Sequence, residues 1–172
     1  MKAGFISILV IIILNISQFS VLGQSTASLT SSQAKVRIIE IIKLTKIDDL
    51  NFGRIFNGTT GSVMLSTSGS RSTIGVIPIG ESGWSPAKFE VRGTYDYEYY
   101  IGLPSDITVR NGSEELLIQD LVAKPSTSVE DGLIGVIKSD SYFTVGGKLI
   151  IESTNVPTGH YSSDFEVSVG YN

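Results

Sequence analysis

Residues Gly159–Asn172 read GHYSSDFEVSVGYN. Phe165, Val167, Val169 and Tyr171 alternate with Glu166, Ser168 and Gly170. A period of two places one set on a buried face and the other on a wet or paired face, which is the signature of a β-strand. The pattern predicts a terminal strand that runs to the end of the chain. A sheet edge left in that way must be covered by something, and a second subunit is one means of covering it.

Working back from this strand, the same alternation recurs between turn signals. Ala34–Leu44 (AKVRIIEIIKL) is predicted as a strand whose phase slips at Ile38-Ile39, so a bulge or a change of sheet is expected there. Leu50–Ile55 (LNFGRI), Ser62–Leu65 (SVML) and Ser72–Pro78 (STIGVIP) are short strand candidates, the first broken by Gly53. Lys88–Gly93 (KFEVRG) puts Phe89 and Val91 on one face. Tyr95, Tyr97, Tyr99, Ile101 and Leu103 share a parity in the next strand, which Pro104 ends. Asn111-Gly112 marks a hairpin within Ile107–Ile118, with a type I′ turn at those two residues. Ser141–Glu152 reads as a second hairpin around Gly146-Gly147, and Leu121–Gly135 as a long connection without a strand. The absence of a helical stripe after the N-terminus makes the expected fold class all-β, an antiparallel β-sandwich.

The N-terminus has the character of a targeting segment. Lys2 precedes the apolar run Phe5–Leu14, and Val21 and Gly23 suit a cleavage site before Gln24. The run is short for a membrane span and is interrupted by Asn15, Ser17 and Gln18. The expected organisation is therefore a cleaved signal peptide at 1–23, a flexible polar leader at 24–33 and a β-sandwich domain at 34–172. No membrane span is expected after cleavage, and the localisation is expected to be secreted, extracellular or cell-surface.

Removing residues 1–23 takes away only Lys2 among the charged residues, leaving 12 basic against 17 acidic side chains. That balance argues against nucleic acid and anionic membranes as partners, which select for basic patches. The chain has no cysteine, so an exported domain of this kind must be held by packing alone or by packing shared with neighbours.

Little in the sequence suggests catalysis. His160 is the single histidine and sits in a turn beside Gly159, and no G-x-S-x-G elbow is present. The acidic pairs Asp48-Asp49, Glu114-Glu115 and Glu130-Asp131 match no calcium-loop spacing, and zinc has no ligand set. We expect no catalytic residue, cofactor or metal. Tyr95 and Tyr97, with Trp84 in the preceding loop, form a candidate glycan face, because tyrosine offers a flat apolar ring with a polar tip. The competing reading is ordinary sheet structure.

The order of LNFGRI at 50–55, KFEVRG at 88–93, IGLP at 101–104, YFTVGGKL at 142–149 and the terminal GHYSSDFEVSVGYN resembles the bacterial secreted family catalogued as domain of unknown function 4402. The C-terminus also resembles pilin subunits of the chaperone–usher type and the spore coat protein U group. In those subunits a glycine lies fourteen residues from the end and a tyrosine is penultimate, as Gly159 and Tyr171 are here. This resemblance implies an immunoglobulin-like, pilin-like sandwich lacking its final strand. A periplasmic chaperone and then the N-terminal extension of the next subunit would fill the gap. On that reading Leu29, Val36 and Ile38 are donor candidates, and Phe165, Val167, Val169 and Tyr171 line the accepting edge. The chain departs from many such pilins in having no disulfide. The two functional expectations are a structural or adhesive surface subunit partnered by itself or related subunits, and a monomeric carbohydrate-binding module.

Overall fold

A computed structural model describes residues 30–128 and 132–172. The expected signal peptide and Leu29 lie outside these residues. Contacts divide the chain after Arg37 into units 1–37 and 38–172. The described residues of the first unit, 30–37, carry no strand.

The second unit holds twelve strands and no helix among the described residues. In chain order the first six are β1 Lys43–Asp48, β2 Arg54–Ile55, β3 Gly61–Leu65, β4 Arg71–Ile74, β5 Pro78–Ile79 and β6 Ala87–Arg92. The others are β7 Glu98–Gly102, β8 Ile107–Asn111, β9 Glu114–Pro125, β10 Ile134–Val136, β11 Tyr142–Ile151 and β12 Ser168–Tyr171. Every pairing is antiparallel. The all-β sandwich expected from the sequence is what forms.

The long strand β11 organises the larger layer, a sheet of seven strands. One edge of β11 pairs with β6 over Tyr142–Val145 and with β3 over Gly147–Ile151. Its other edge pairs with β9. β1 lies outside β6, β4 outside β3, and β8 outside β9. A three-stranded sheet, β10-β7-β12, forms a second layer, and β2-β5 make a small ribbon.

Two core clusters result. In the first, Val63, Leu65, Ile107, Ile118, Leu149 and Ile151 of the large sheet pack with Phe52 and Val76. In the second, Ala87, Phe89, Val91, Phe143 and Val145 of the large sheet pack with Tyr99, Ile101 and Ile137. The rings of Phe89 and Phe143 stack at 5.2 Å between centroids.

Several local expectations are corrected. Ser141–Glu152 is no hairpin: β11 runs straight through Gly146-Gly147. A side chain at Gly146 would fall on the backbone of Leu65 and Ser66, and one at Gly147 on Leu121. The glycines thus permit close approach where β11 changes neighbours, and make no turn. Leu121–Gly135 is not strandless either, since β9 extends to Pro125 and β10 follows. Between the pairs Gly146↔Val122 and Lys148↔Gln119, Asp120 and Leu121 oppose the single residue Gly147, with Asp120 at φ 53°. That is a β-bulge, and it switches the inward parity from Leu116 and Ile118 to Leu121, Ala123 and Pro125.

The first hairpin forms, but its turn is displaced by one residue. Asn111 pairs with Glu114, leaving Gly112-Ser113 as the central pair with Gly112 at φ 63°. Positive φ at the first central residue alone suits a type II′ turn. Tyr95 and Tyr97 precede β7 and belong to a turn in which Asp96 has φ 64°. Ala34–Leu44 is not a strand until Lys43, so the phase slip at Ile38-Ile39 marks no bulge.

Candidate functional site

The residues before β1 are the most unusual part of the domain. Ile38 is 91% exposed and Ile41 77% exposed, and Ile39 is also exposed, in a stretch without strand pairing. Large apolar side chains seldom stand in water as a contiguous group without a partner for them. Ile42 and Leu44 turn inward and pack on the second core cluster.

This exposed stretch is nevertheless held at one point. The Tyr171 hydroxyl donates to the Glu40 carbonyl at 2.7 Å and accepts from the Thr94 N–H at 2.8 Å. The Glu40 N–H donates to Thr94 Oγ1 at 2.8 Å. Both backbone groups of Glu40 are therefore engaged. The Tyr171 ring meets Tyr97 edge-on at 5.7 Å. β12 places Tyr171 there by pairing it with Tyr99 at the end of its ladder with β7.

The C-terminal segment is alternating but only partly paired. Phe165, Val167, Val169 and Tyr171 all pack against the second cluster, as their parity predicts. Strand pairing begins only at Ser168, and residues 163–167 join no strand. Phe165 meets Phe89 edge-on at 6.5 Å.

β1 and β12 are edge strands of the two layers. Between them lies an open groove of about 670 Å³, walled by Leu44, Phe89, Leu103, Phe165 and Val167. Lys46 and Glu166 also line it. The groove thus combines two unpaired backbone edges with an apolar floor, which are the two things an added strand needs. Leu44, Phe89 and Leu103 were not singled out for this role from the sequence, because each reads locally as an ordinary core position. Only the topology brings them opposite Phe165 and Val167.

The other candidates from the sequence lie elsewhere. Val36, in the first unit, is 89% exposed. Trp84 packs on the first core cluster, donates its indole N–H to the Gly69 carbonyl at 3.0 Å, and carries the Arg71 guanidinium 4.0 Å from its ring. One ring face is therefore covered. Tyr95 is 59% exposed, with the Lys138 ammonium 4.9 Å from its ring and that ammonium also paired with Asp96. Trp84 is thus anchored on one core cluster, while Tyr97 leans on Tyr171 of the other. His160 is exposed. Among the described residues no group of three or more histidine, cysteine or carboxylate side chains could hold a metal.

Tyr99 is fully buried, and its hydroxyl has no hydrogen-bond partner. Burial pushes its pKa up to about 12.

No curated protein matches the chain, and no solved structure does. A family model described as "Domain of unknown function (DUF4402)" matches residues 42–171, which begin just before β1 and take in every strand and the whole groove. The chain belongs to that family.

Proposed function

We propose that the protein is an exported structural or adhesive subunit of the cell surface, immunoglobulin-like and pilin-like in its sandwich, that assembles by strand exchange. The observation that carries this reading is the pairing of opposites within one domain. An exposed apolar segment at 38–41 stands next to a domain that holds an open apolar groove between two unpaired edges.

The occupant we assign to the groove is the segment around Ile38 and Ile41 of a second copy or a related subunit. Burying each of these side chains is worth roughly 1.5–3 kcal/mol. A domain cannot use its own segment in this way while Glu40 is clasped. The segment runs directly into β1, and laying it back along β1 would require a reversal at residues 40–42, where both backbone groups of Glu40 are already bonded. Before assembly, a periplasmic chaperone would cover the same groove.

The test is the assembly state of Gln24–Asn172 by light scattering and by an unheated SDS gel. A heat-sensitive ladder that is lost on deleting residues 24–38, and lost also in Val167→Asp, is the expected result. A stable monomer at high concentration, unchanged by either alteration, would overturn the reading.

A further inference from the structure

At the end of the sandwich away from Tyr171, the loop after β11 wraps the β8–β9 hairpin and creates two adjoining hollows. The larger, about 330 Å³, is lined by Thr108, Glu114, Glu152, Asn155 and Tyr161, among others. The smaller, about 130 Å³, is lined by Phe56, Asn57, Thr59, Pro157 and Tyr161 over an apolar floor that includes Ile55 and Ile151. Leu116, Ser153, Val156 and Tyr161 line both, so the two hollows meet at Tyr161 and make a cleft with one arm on each face of the β9–β11 pairing: the larger beside the outward row Thr108, Leu117 and Ile150, the smaller beside the core-side Ile151. The larger arm alone lies at the lower end of the volume range of small-ligand pockets.

We propose that this cleft binds a neutral saccharide of one or two rings. Three observations point to that chemistry. First, Phe56 is 52% exposed beside the cleft although it is a large apolar ring, and the half-buried Tyr161 supplies a second ring. Tyr161 is fixed by donating its hydroxyl to the Pro157 carbonyl at 3.0 Å. Such rings offer flat apolar faces to the C–H face of a sugar. Second, hydrogen-bonding side chains of both kinds surround them: Asn57, Ser153 and Asn155 can donate and accept. Third, the carboxylates of Glu114 and Glu152 line the cleft without an ion-pair partner among the described residues, whereas Glu115 is taken by Arg110 at 2.7 Å. A carboxylate accepts from sugar hydroxyls with bonds roughly twice as strong as neutral ones.

The lining also says what is excluded. No lysine or arginine lines either hollow, so phosphorylated, sulfated or uronic sugars would meet uncompensated carboxylates. The same carboxylates do not make a cation site, since no cluster among the described residues has the ligands to hold one. The cleft shares no residue with the groove between β1 and β12, so this inference stands or falls apart from the assembly reading.

The experiment is titration of Gln24–Asn172 with maltose, cellobiose, lactose and chitobiose, and with sialyllactose as the anionic comparison, followed by amide chemical-shift mapping. At least one neutral disaccharide is expected to shift amides at 55–59, 114–117 and 150–161. Its affinity should fall on the order of tenfold or more in Phe56→Ala and in Glu152→Gln. Both variants alter exposed side chains, and unchanged spectra away from the cleft will show that they fold. Sialyllactose should bind more weakly than the neutral sugar. The absence of any saturable shift in these three segments, or shifts that persist undiminished in both variants, would overturn the proposal, as would equal binding of the anionic sugar.

Discussion

Strand β11 and the segment 163–167 are both built from alternating apolar residues, and both turn that set inward. They differ in what lies beside their backbones. β11 is paired along both edges, to β9 on one side and to β6 and then β3 on the other. Residues 163–167, which face β1 across the groove, join no ladder, and neither does the stretch before β1. The contrast separates two requirements that a strand usually meets together. Alternation decides which face is buried, whereas a ladder needs a neighbour at hydrogen-bonding distance. In the middle of the molecule the chain supplies that neighbour itself, and at the edge it leaves the position open.

The closed half of this comparison is most easily broken at Gly146. Any side chain there meets the backbone of Leu65 and Ser66, which cannot move without opening the β3–β11 contact. Gly146→Val is expected to cost more than about 4 kcal/mol, placing it among the exceptional substitutions. Urea unfolding would show a collapsed midpoint or no folded state. A variant that unfolds cooperatively at the parent midpoint would show that β11 does not run through its glycines under the Leu65 backbone.

Tyr99 tests the second core cluster by pH. Its pKa is raised to about 12 in the fold by burial, against an ordinary value of 10.0. The folded state therefore holds this proton more tightly than the unfolded chain does. Its contribution is fully present below pH 10 and is lost as pH rises from 10 through 12. The shift corresponds to roughly 2–3 kcal/mol. Other tyrosines and the lysines titrate in the same window, so the informative quantity is the difference from Tyr99→Phe, which should lose this part of the alkaline slope. At pH 7 the same variant should be neutral or slightly stabilising, because the hydroxyl it removes has no partner. Identical alkaline slopes in the two proteins would contradict the buried, unpaired hydroxyl.

The difference between the two halves also explains what could be read from the sequence. Phe89, Val91, Tyr99 and Ile101 were legible as core because their strands keep one parity from end to end. β9 was not legible beyond Ile118, because the bulge at Asp120-Leu121 switches the inward set and erases the period that would reveal a strand. Gly146-Gly147 looked like a turn because a glycine pair marks a turn or a close approach equally well, and only the presence of Leu65 overhead decides between them. Val36–Ile41 looked like a strand because its residues are β-formers, but propensity cannot provide the partner strand. The groove between the layers was half legible. Phe165 and Val167 follow from alternation, whereas Leu44, Phe89 and Leu103 become a facing wall only once two separate sheets are stacked.

At the junction of the two halves, Tyr171→Phe removes one hydroxyl that serves both Thr94 and Glu40. One of these bonds is exposed and the other only partly buried, so the cost should be modest, about 1–2 kcal/mol. The more specific expectation is local. Hydrogen exchange should accelerate at the Thr94 and Glu40 amides while the amides of β11 keep their protection. Uniform acceleration across the domain would make Tyr171 a general core residue, and unchanged exchange at Glu40 would mean that the clasp does not hold the segment.

The smallest effect on the isolated domain is expected from the residues to which the proposed assembly gives the donor role. Ile38→Ser and Ile41→Ser, combined, replace two side chains that are almost wholly in water. Surface substitutions of this kind change stability by less than about 0.5 kcal/mol. Thermal unfolding of the monomer should therefore be unaltered, while the heat-sensitive ladder disappears. These two readouts pull in opposite directions under the alternatives. If Ile38 and Ile41 packed within their own domain, the double variant would lose several kcal/mol of stability, at roughly 1.5–3 kcal/mol for each buried side chain. If they packed nowhere, neither stability nor assembly would move. Only residues that are exposed in one copy and buried in the next leave the monomer intact and abolish the polymer.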